Sequence, residues 1–248
     1  MLKIFRADLH IHTCLSPCAD LEMSPAAIVK TAIEKAIDII AITDHNSAEN
    51  IISARKAAVN KNITVLAGME ITSSEEAHIL ALLDDIEGIL KLQNIVYKNL
   101  QSGENNEKLF GEQIVVNEDD EVLDFNKRLL IGATSLSAQE IVETIHSLRG
   151  LAVASHVDRD AYSIISQLGF IPKDLQFDAL EISPNTNKGN AEFSFKGYRF
   201  FPWITSSDAH WLRDMGRRTT SFYLHEPTIE EMKMALKNID GRKVEWEG

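Results

Sequence analysis

IDIIAITDHN, residues 37–46, is the stretch whose reading decides the fold. Ile37 to Ile42 is an apolar run of strand length, and Asp44 and His45 follow at its end. The same order recurs along the chain. Other runs that read as strands are Leu2 to Phe5, Ile63 to Ala67, Ile79 to Leu83, Leu151 to Ala154, Ala179 to Ile182, Phe200 to Thr205 and Ser221 to Leu224. Between many of them lie helical patterns with start signals. Ser24-Pro25 reads as an N-cap with proline in the first turn. Ser137 with Glu140, and Thr228 with Glu231, are spaced as capping boxes. Ile141, Ile145 and Leu148, and then Met232, Leu236 and Ile239, recur at helical spacing. Strands alternating with helices predict parallel βα units. About seven or eight of them predict a closed barrel rather than an open sheet.

Candidate metal ligands appear after one predicted strand after another. His10 and His12 follow the first, Asp44 and His45 the second, and Glu70 the third. His156 follows Leu151 to Ala154, and Asp208 and His210 follow Phe200 to Thr205. In a βα barrel the C-terminal strand ends converge on one face, so residues 200 positions apart meet there. His78 starts its apolar run instead of ending one. Only Ile71 to Ala77 separate it from Glu70, too few for a helical crossover. A hairpin-like return brings it back to the same end. Six of the eight histidines thus fall at this face, while His146 and His225 read as ordinary structural or surface side chains. Imidazole mixed with carboxylate suits zinc, manganese or iron better than magnesium or calcium.

These segments carry a family resemblance. Ala7-Asp-Leu-His-Ile-His-Thr13 resembles the first motif of the polymerase and histidinol phosphatase (PHP) family. Ile42-Thr-Asp-His-Asn46, Gly68-Met-Glu-Ile71 with His78, Ser155-His156 and Ser207-Asp-Ala-His210 resemble the later ones, in order. The resemblance implies a distorted seven-stranded (β/α) TIM-like barrel that cleaves phosphate esters with two or three divalent ions. It implies one ion on His10, His12, Glu70 and Asp208, a second on Glu70, His78 and His156, and a third on His45 and His210. Family members often place a further histidine or aspartate soon after the first motif. Here the loop reads Cys14-Leu-Ser-Pro-Cys-Ala-Asp20, so Asp20 is the expected ligand and Cys18, a soft thiolate, the alternative.

In such a site, metal-activated hydroxide attacks phosphorus in line with the leaving oxygen. Asp44 is expected to orient a ligand rather than to be one. Phosphate also favours the planar fork of arginine. Arg159, three residues past His156, is one expected phosphate contact, and Arg217 or Arg218 after His210 is another. Gly216 beside them lets the chain turn close to a ligand.

From about Ser102 to Thr134 the alternation breaks into a tract rich in Asn, Glu and Asp, interrupted by Ile114 to Val116 and Leu129 to Ile131. It reads as a hairpin-like insertion that is either a solvated excursion or a lid. The 248 residues fit one domain including that insertion. No apolar run reaches the roughly 18 residues of a membrane helix, and Met1 to His10 lacks a secretory apolar stretch. Cys14 and Cys18 are too few for a disulfide framework. A cytoplasmic protein with reduced thiols is the expectation. The formal net charge of −12 disfavours long nucleic acid and leaves a small phosphorylated substrate open. Two other classes compete: a metal-dependent amidohydrolase, which also uses His-x-His on a barrel strand, and a polymerase-linked nuclease or binding module. The sequence sets no oligomeric state.

Overall fold

The computed structural model describes residues 1–246. In chain order the elements are β1 (Lys3–Ile11), α1 (Pro25–Glu34), β2 (Ile39–Ile42), α2 (Ile51–Ala57), β3 (Thr64–Thr72), β4 (His78–Leu83), α3 (Ile86–Asn99), α4 (Glu107–Phe110), β5 (Ile114–Val116), β6 (Val122–Phe125), α5 (Ala138–Ser147), β7 (Leu151–Ala154), α6 (Ile164–Leu168), β8 (Ala179–Ile182), α7 (Lys188–Ser194), β9 (Trp203–Thr205), β10 (Thr220–Leu224), α8 (Ile229–Leu236) and β11 (Lys243–Glu245).

Among the described residues, nine strands form one sheet in the order β11-β10-β1-β2-β3-β4-β7-β8-β9. The sheet curls until Ala209, just past β9, bridges Ile11 of β1 in parallel. The seven strands from β1 to β9 therefore make a nearly closed barrel. β10 pairs antiparallel with the lower part of β1, Lys3 to Ala7, and β11 lies outside β10. The barrel is distorted at β4, which runs antiparallel to both of its neighbours, β3 and β7. The turn between β3 and β4 is too short for a crossover, so the chain returns as a hairpin with Thr72 opposite His78.

Side chains alternate across this wall, as the pleat requires. Ile39, Ala41, Leu66, Leu80, Leu82, Leu151 and Val153 fill the interior. Ile40, Ile42, Val65, Ala67, Ile79 and Ala81 face out against α1, α3 and α5. Ile229, Met232, Ala235 and Leu236 of α8 join the interior cluster beside Phe222 and Leu224. They close the end where β1 begins, and the polar residues are left to the other end.

The helix starts follow the sequence with one exception. Ser24 accepts from Ala27 N–H, and Ser137 with Glu140 forms a complete capping box. Thr228 accepts from Glu231 N–H, but the Glu231 carboxylate turns instead to His225 N–H and the Arg242 guanidinium. A charge-assisted bidentate partner outcompetes a backbone amide. The expected strands were also too short at two places. β1 and β3 run on through His10 and Glu70, because these polar residues are paired within the barrel and do not end the ladder.

The insertion holds a hairpin of β5 and β6. Its second strand is Val122–Phe125, and Leu129 to Ile131 lies outside it. Leu130 is buried, and its carbonyl, like that of Gly132, accepts from Asn46 Nδ2 at 2.8 Å. β5 is pinned to the barrel mouth. Ile114 N–H donates to Cys14 O at 2.9 Å, and Val116 N–H to Asn50 Oδ1 at 3.0 Å.

Gly68 fixes how closely β3 approaches β2. A Cβ there would lie 2.6 Å from Ile42 O and 2.7 Å from Thr43 Cγ2. Overpacking of this kind costs about 1–3 kcal/mol. Gly68→Ala should lower the denaturant midpoint accordingly, and an unchanged midpoint would show that the two strands separate freely.

Candidate metal centre

A bulge in β1 sets the first two histidines. Asp8 pairs with Ile40 and Ile11 with Ile42, so β1 carries one extra residue between them. Before the bulge, Ala7 and Leu9 face the interior. After it, Ile11 faces out, which turns His10 and His12 inward. Bulges commonly re-aim side chains in this way beside active sites. Glu70 lies on β3 above Leu66, and Asp44 O accepts its N–H at 3.1 Å. Asn46, His156 and Asp208 hold φ values of 50°, 26° and 49°. Left-handed backbone at non-glycine positions costs about 1–3 kcal/mol each, and here it kinks the chain at three of the strand ends.

The side chains converge on Glu70. Its Oε1 lies 2.9 Å from His78 Nδ1, 3.2 Å from His156 Nε2 and 3.3 Å from His10 Nε2. Its Oε2 lies 3.1 Å from His45 Nδ1 and 3.5 Å from His12 Nε2. Asp208 Oδ1 is 3.4 Å from Nε2 of both His10 and His12, and these two nitrogens are 3.2 Å apart. Three groups have geometry to hold a cation: His10, His12 and Asp208; His45, Glu70 and His78; and His12, His45 and His210. All are buried except His210, which is half-buried. The grouping departs from the expected one. His45 comes together with Glu70 and His78 as well as with His210, and His12 takes the place given to Asp20.

The hydrogen bonds fix which imidazole nitrogen faces inward. Ser16 Oγ donates to Asp44 Oδ1 at 2.7 Å and so accepts from His12 Nδ1–H at 3.0 Å. His10 Nδ1–H donates to Glu181 Oε2 at 2.9 Å. His210 Nδ1–H donates to Asp208 O at 3.0 Å. In each case Nε2 is the nitrogen left for the cluster. Burial, and then His210, hold the His12 pKa at about 4, and burial holds His45 well below its ordinary value. Both imidazoles are therefore neutral, as ligands must be. Burial alone would raise Glu70 and Asp208. Instead His78 and His10 beside Glu70, and His10 and His12 beside Asp208, hold both carboxyls well below their usual range. Burial opposes a charge on His10, yet Glu181, Asp208 and Glu70 raise its pKa well above the usual imidazole value. The imidazole nitrogens and carboxylate oxygens that face one another here can share a cation. The imidazole and carboxylate donor set fits divalent transition ions.

Three supporting residues escape a search for strand-end ligands. Glu181 lies within β8, accepts from His10 and also takes His156 N–H at 3.2 Å. A lone glutamate in the apolar run Ala179–Ile182 was its signal. Ser16 links Asp44 to the His12 imidazole and also accepts from His45 N–H at 3.2 Å. Asp8 accepts from Ser207 N–H and Gly216 N–H at 2.9 and 2.8 Å, tying down the loop that carries Asp208 and His210. Burial pushes Asp8 and Asp44 up to about 6, against the hydrogen bonds each accepts.

The remaining expected residues separate. Arg159 joins the centre, its Nη2 2.5 Å from Asp208 Oδ2. Asp20 lies outside the three groups, and its Oδ1 accepts from Glu22 N–H at 2.9 Å. Cys18 is exposed and also outside them. The protein around its thiol, and then the charges of Glu70 and Asp208, push it up to about 12. Arg217 is exposed, with Nε on Ser207 O at 3.0 Å, and lines an outer groove with Arg6 and Arg218.

Loss of such a supporting carboxylate typically costs 10–100-fold in metal affinity. Glu181→Ala should weaken manganese or zinc binding by about that factor while the thermal unfolding transition stays cooperative. Wild-type affinity in a metal titration would show that His10 and His156 need no support from β8.

Comparison with known proteins bears on this arrangement. A Bacillus subtilis protein without assigned function is 23% identical over 285 residues, covering 98% of this chain and 64% of that protein. The lesion-specific endonuclease Q of Pyrococcus furiosus superposes with a TM-score of 0.73 at 18% identity, over 98% of this chain and 58% of that one. A Bifidobacterium adolescentis protein assigned as a metal-dependent phosphoesterase superposes with a TM-score of 0.59 at 19% identity, over 82% and 87%. The chain thus spans less than two thirds of the Bacillus relative and of endonuclease Q. The model of the PHP domain family matches residues 8–163, well over half of the chain, and with the barrel and the histidine cluster it establishes that this chain belongs to the PHP domain family.

Proposed function

We propose that the chain hydrolyses a small phosphate ester with the help of two or three divalent ions, zinc, manganese or iron. The observation that carries the reading is the convergence of five imidazoles on the two oxygens of Glu70. His10, His12 and Asp208 would hold one ion, with Glu70 bridging to a second near His45, His78 and His156. His12, His45 and His210 offer a third position. Bound there, such ions supply Lewis acidity toward a phosphoryl oxygen and lower the pKa of water.

The chain's own residues then orient and bind. Asp44 acts through Ser16 to hold His12, and Glu181 holds His10. Arg159 spans from Asp208 to the opening, with its side chain about a third exposed. Its unused N–H groups form the fork that a phosphoryl group accepts. Arg217, anchored on Ser207, is placed to approach the same opening only if its exposed guanidinium swings inward. The net charge of −12 favours a small ester over a polymer.

A second reading, a nuclease, is favoured by one observation, the superposition of nearly the whole chain on endonuclease Q. That enzyme also has a structure with a 27-mer duplex carrying an abasic lesion at its active site. A phosphate-release screen over nucleotides, sugar phosphates and amino-alcohol phosphates, with manganese and zinc added separately, decides between the readings. An abasic duplex and a set of amides run beside it. Release from small esters is expected. Nicking of the duplex alone would favour the nuclease, and amide cleavage alone would overturn phosphoester chemistry.

Elemental analysis of purified protein should find at least two transition ions per chain, and chelation should lower the melting temperature. A site filled at a hundred times its dissociation constant contributes about 2.7 kcal/mol, a fall of roughly 5–10 °C for a chain this size. An unchanged melting temperature after complete metal removal would contradict a centre that ties the strand ends together. Glu70→Gln should be more damaging than His78→Ala or His45→Ala across a manganese titration. The amide keeps the shape but loses the charge and one acceptor oxygen. Recovery of the Glu70 variant at high manganese, without recovery of the histidine variants, would exclude a bridging role.

A further inference from the structure

The loop after β7 carries an aromatic ring that the chemistry above leaves unused. Tyr162 has φ of 59°, a conformation that bulky residues avoid. Two contacts to one histidine hold it there. Its carbonyl accepts from His78 N–H at 2.8 Å, and its ring lies over the His78 imidazole, centroids 4.6 Å apart and planes 20° from parallel. The residue is nevertheless 45% exposed, and no hydrogen bond engages its hydroxyl among the described residues. A tyrosine that serves only packing hides its ring and finds a partner for its oxygen. This one covers a candidate ligand with its ring while nearly half of the residue stays exposed. Arg159 belongs to the same turn, which Ser163 Oγ closes by donating to Arg159 O at 2.8 Å. One short loop therefore offers a fork for phosphate on the Asp208 side and a flat ring on the His78 side.

We propose that Tyr162 is a stacking platform for a nucleobase, so that the ester taken by this centre is a nucleoside phosphate. This rests on the phosphoesterase reading of the cluster and narrows its substrate class. A sugar or an amino alcohol has no flat face to lay on an open ring, whereas every nucleobase has one, and stacking on an aromatic side chain tolerates any of them. The phosphate then lies toward Arg159 and the imidazole cluster. The same chemistry is presented by a free mononucleotide and by the terminal nucleotide of a strand.

The test compares wild type, Tyr162→Ala and Tyr162→Phe, loaded with manganese, by two readouts. Equilibrium dialysis measures binding of adenosine, which has no phosphate to lose. Steady-state kinetics measures kcat and KM for AMP and for ribose 5-phosphate. Tyr162→Ala should weaken adenosine binding and raise KM for AMP by about tenfold, with ribose 5-phosphate within about twofold of wild type and Tyr162→Phe close to wild type for both. Competition against adenosine assigns the source, AMP winning for a free nucleotide and a 5′-phosphorylated oligonucleotide for a strand end. Equal damage to both esters would make Tyr162 a support for His78 and overturn the platform, as would wild-type protein that binds no adenosine. Adenosine binding that depends on Tyr162, without hydrolysis of any phosphate ester, would keep the platform and sink the phosphoesterase reading instead.

Discussion

Glu70 brings five imidazoles within 3.5 Å of one buried carboxylate. Much of the surrounding structure serves to hold these nitrogens around that anion, in groups with the geometry to take a cation. The interior of the barrel below is apolar and closed by α8. Fields between the groups are correspondingly strong. The carboxylates of Asp8, Asp44 and Glu181 sit one layer further out and bind backbone or imidazole N–H groups. They stiffen the ring of ligands without adding to its inward-facing charge.

The distortion of the barrel follows from the same requirement. A regular strand places every second side chain on one face. At the end of β1 a bulge is needed before both His10 and His12 turn inward. At β4 a reversed strand is needed before His78 returns to the level of Glu70. At Asn46, His156 and Asp208 the backbone enters left-handed space. Each departure is unfavourable taken alone, and each falls on or directly beside a ligand. The regular parts of the sheet, where Ile39 to Ile42 pair with Thr64 to Ala67, carry no such feature.

Much of this was legible in the sequence because chemistry and fold share one signal. An apolar run followed by His, Asp or Glu announces both a strand and the end of the barrel it points to. His78 was legible from spacing alone, since the gap after Glu70 leaves room only for a hairpin. What stayed hidden depended on partners distant in sequence. Glu181 interrupts an apolar run and looks like a surface residue until His10, on another strand, is placed beside it. Asp44 was legible as a residue that orients a ligand, but not which one, because its partners Thr13 and Ser16 lie in the loop after β1. Asp20 had a suitable position in the chain, but it lies in a turn where its Oδ1 accepts from Glu22 N–H, outside the three groups. The second strand of the inserted hairpin gave no signal, because Val122–Phe125 is exposed throughout.

The reversed strand has a consequence for the order in which the molecule assembles. His45, Glu70 and His78 all lie on β2, β3 and β4 or in the loops between them, joined by one parallel and one antiparallel pairing. Bringing them together closes only short loops, and the entropy of closure grows with loop length. Asp208 and His210 reach the cluster only when residues from the far end of the chain return to β1. During synthesis the first portion leaves the ribosome well before the second. One half of the centre is therefore built from contacts local in sequence, and the other half only from contacts that close the barrel.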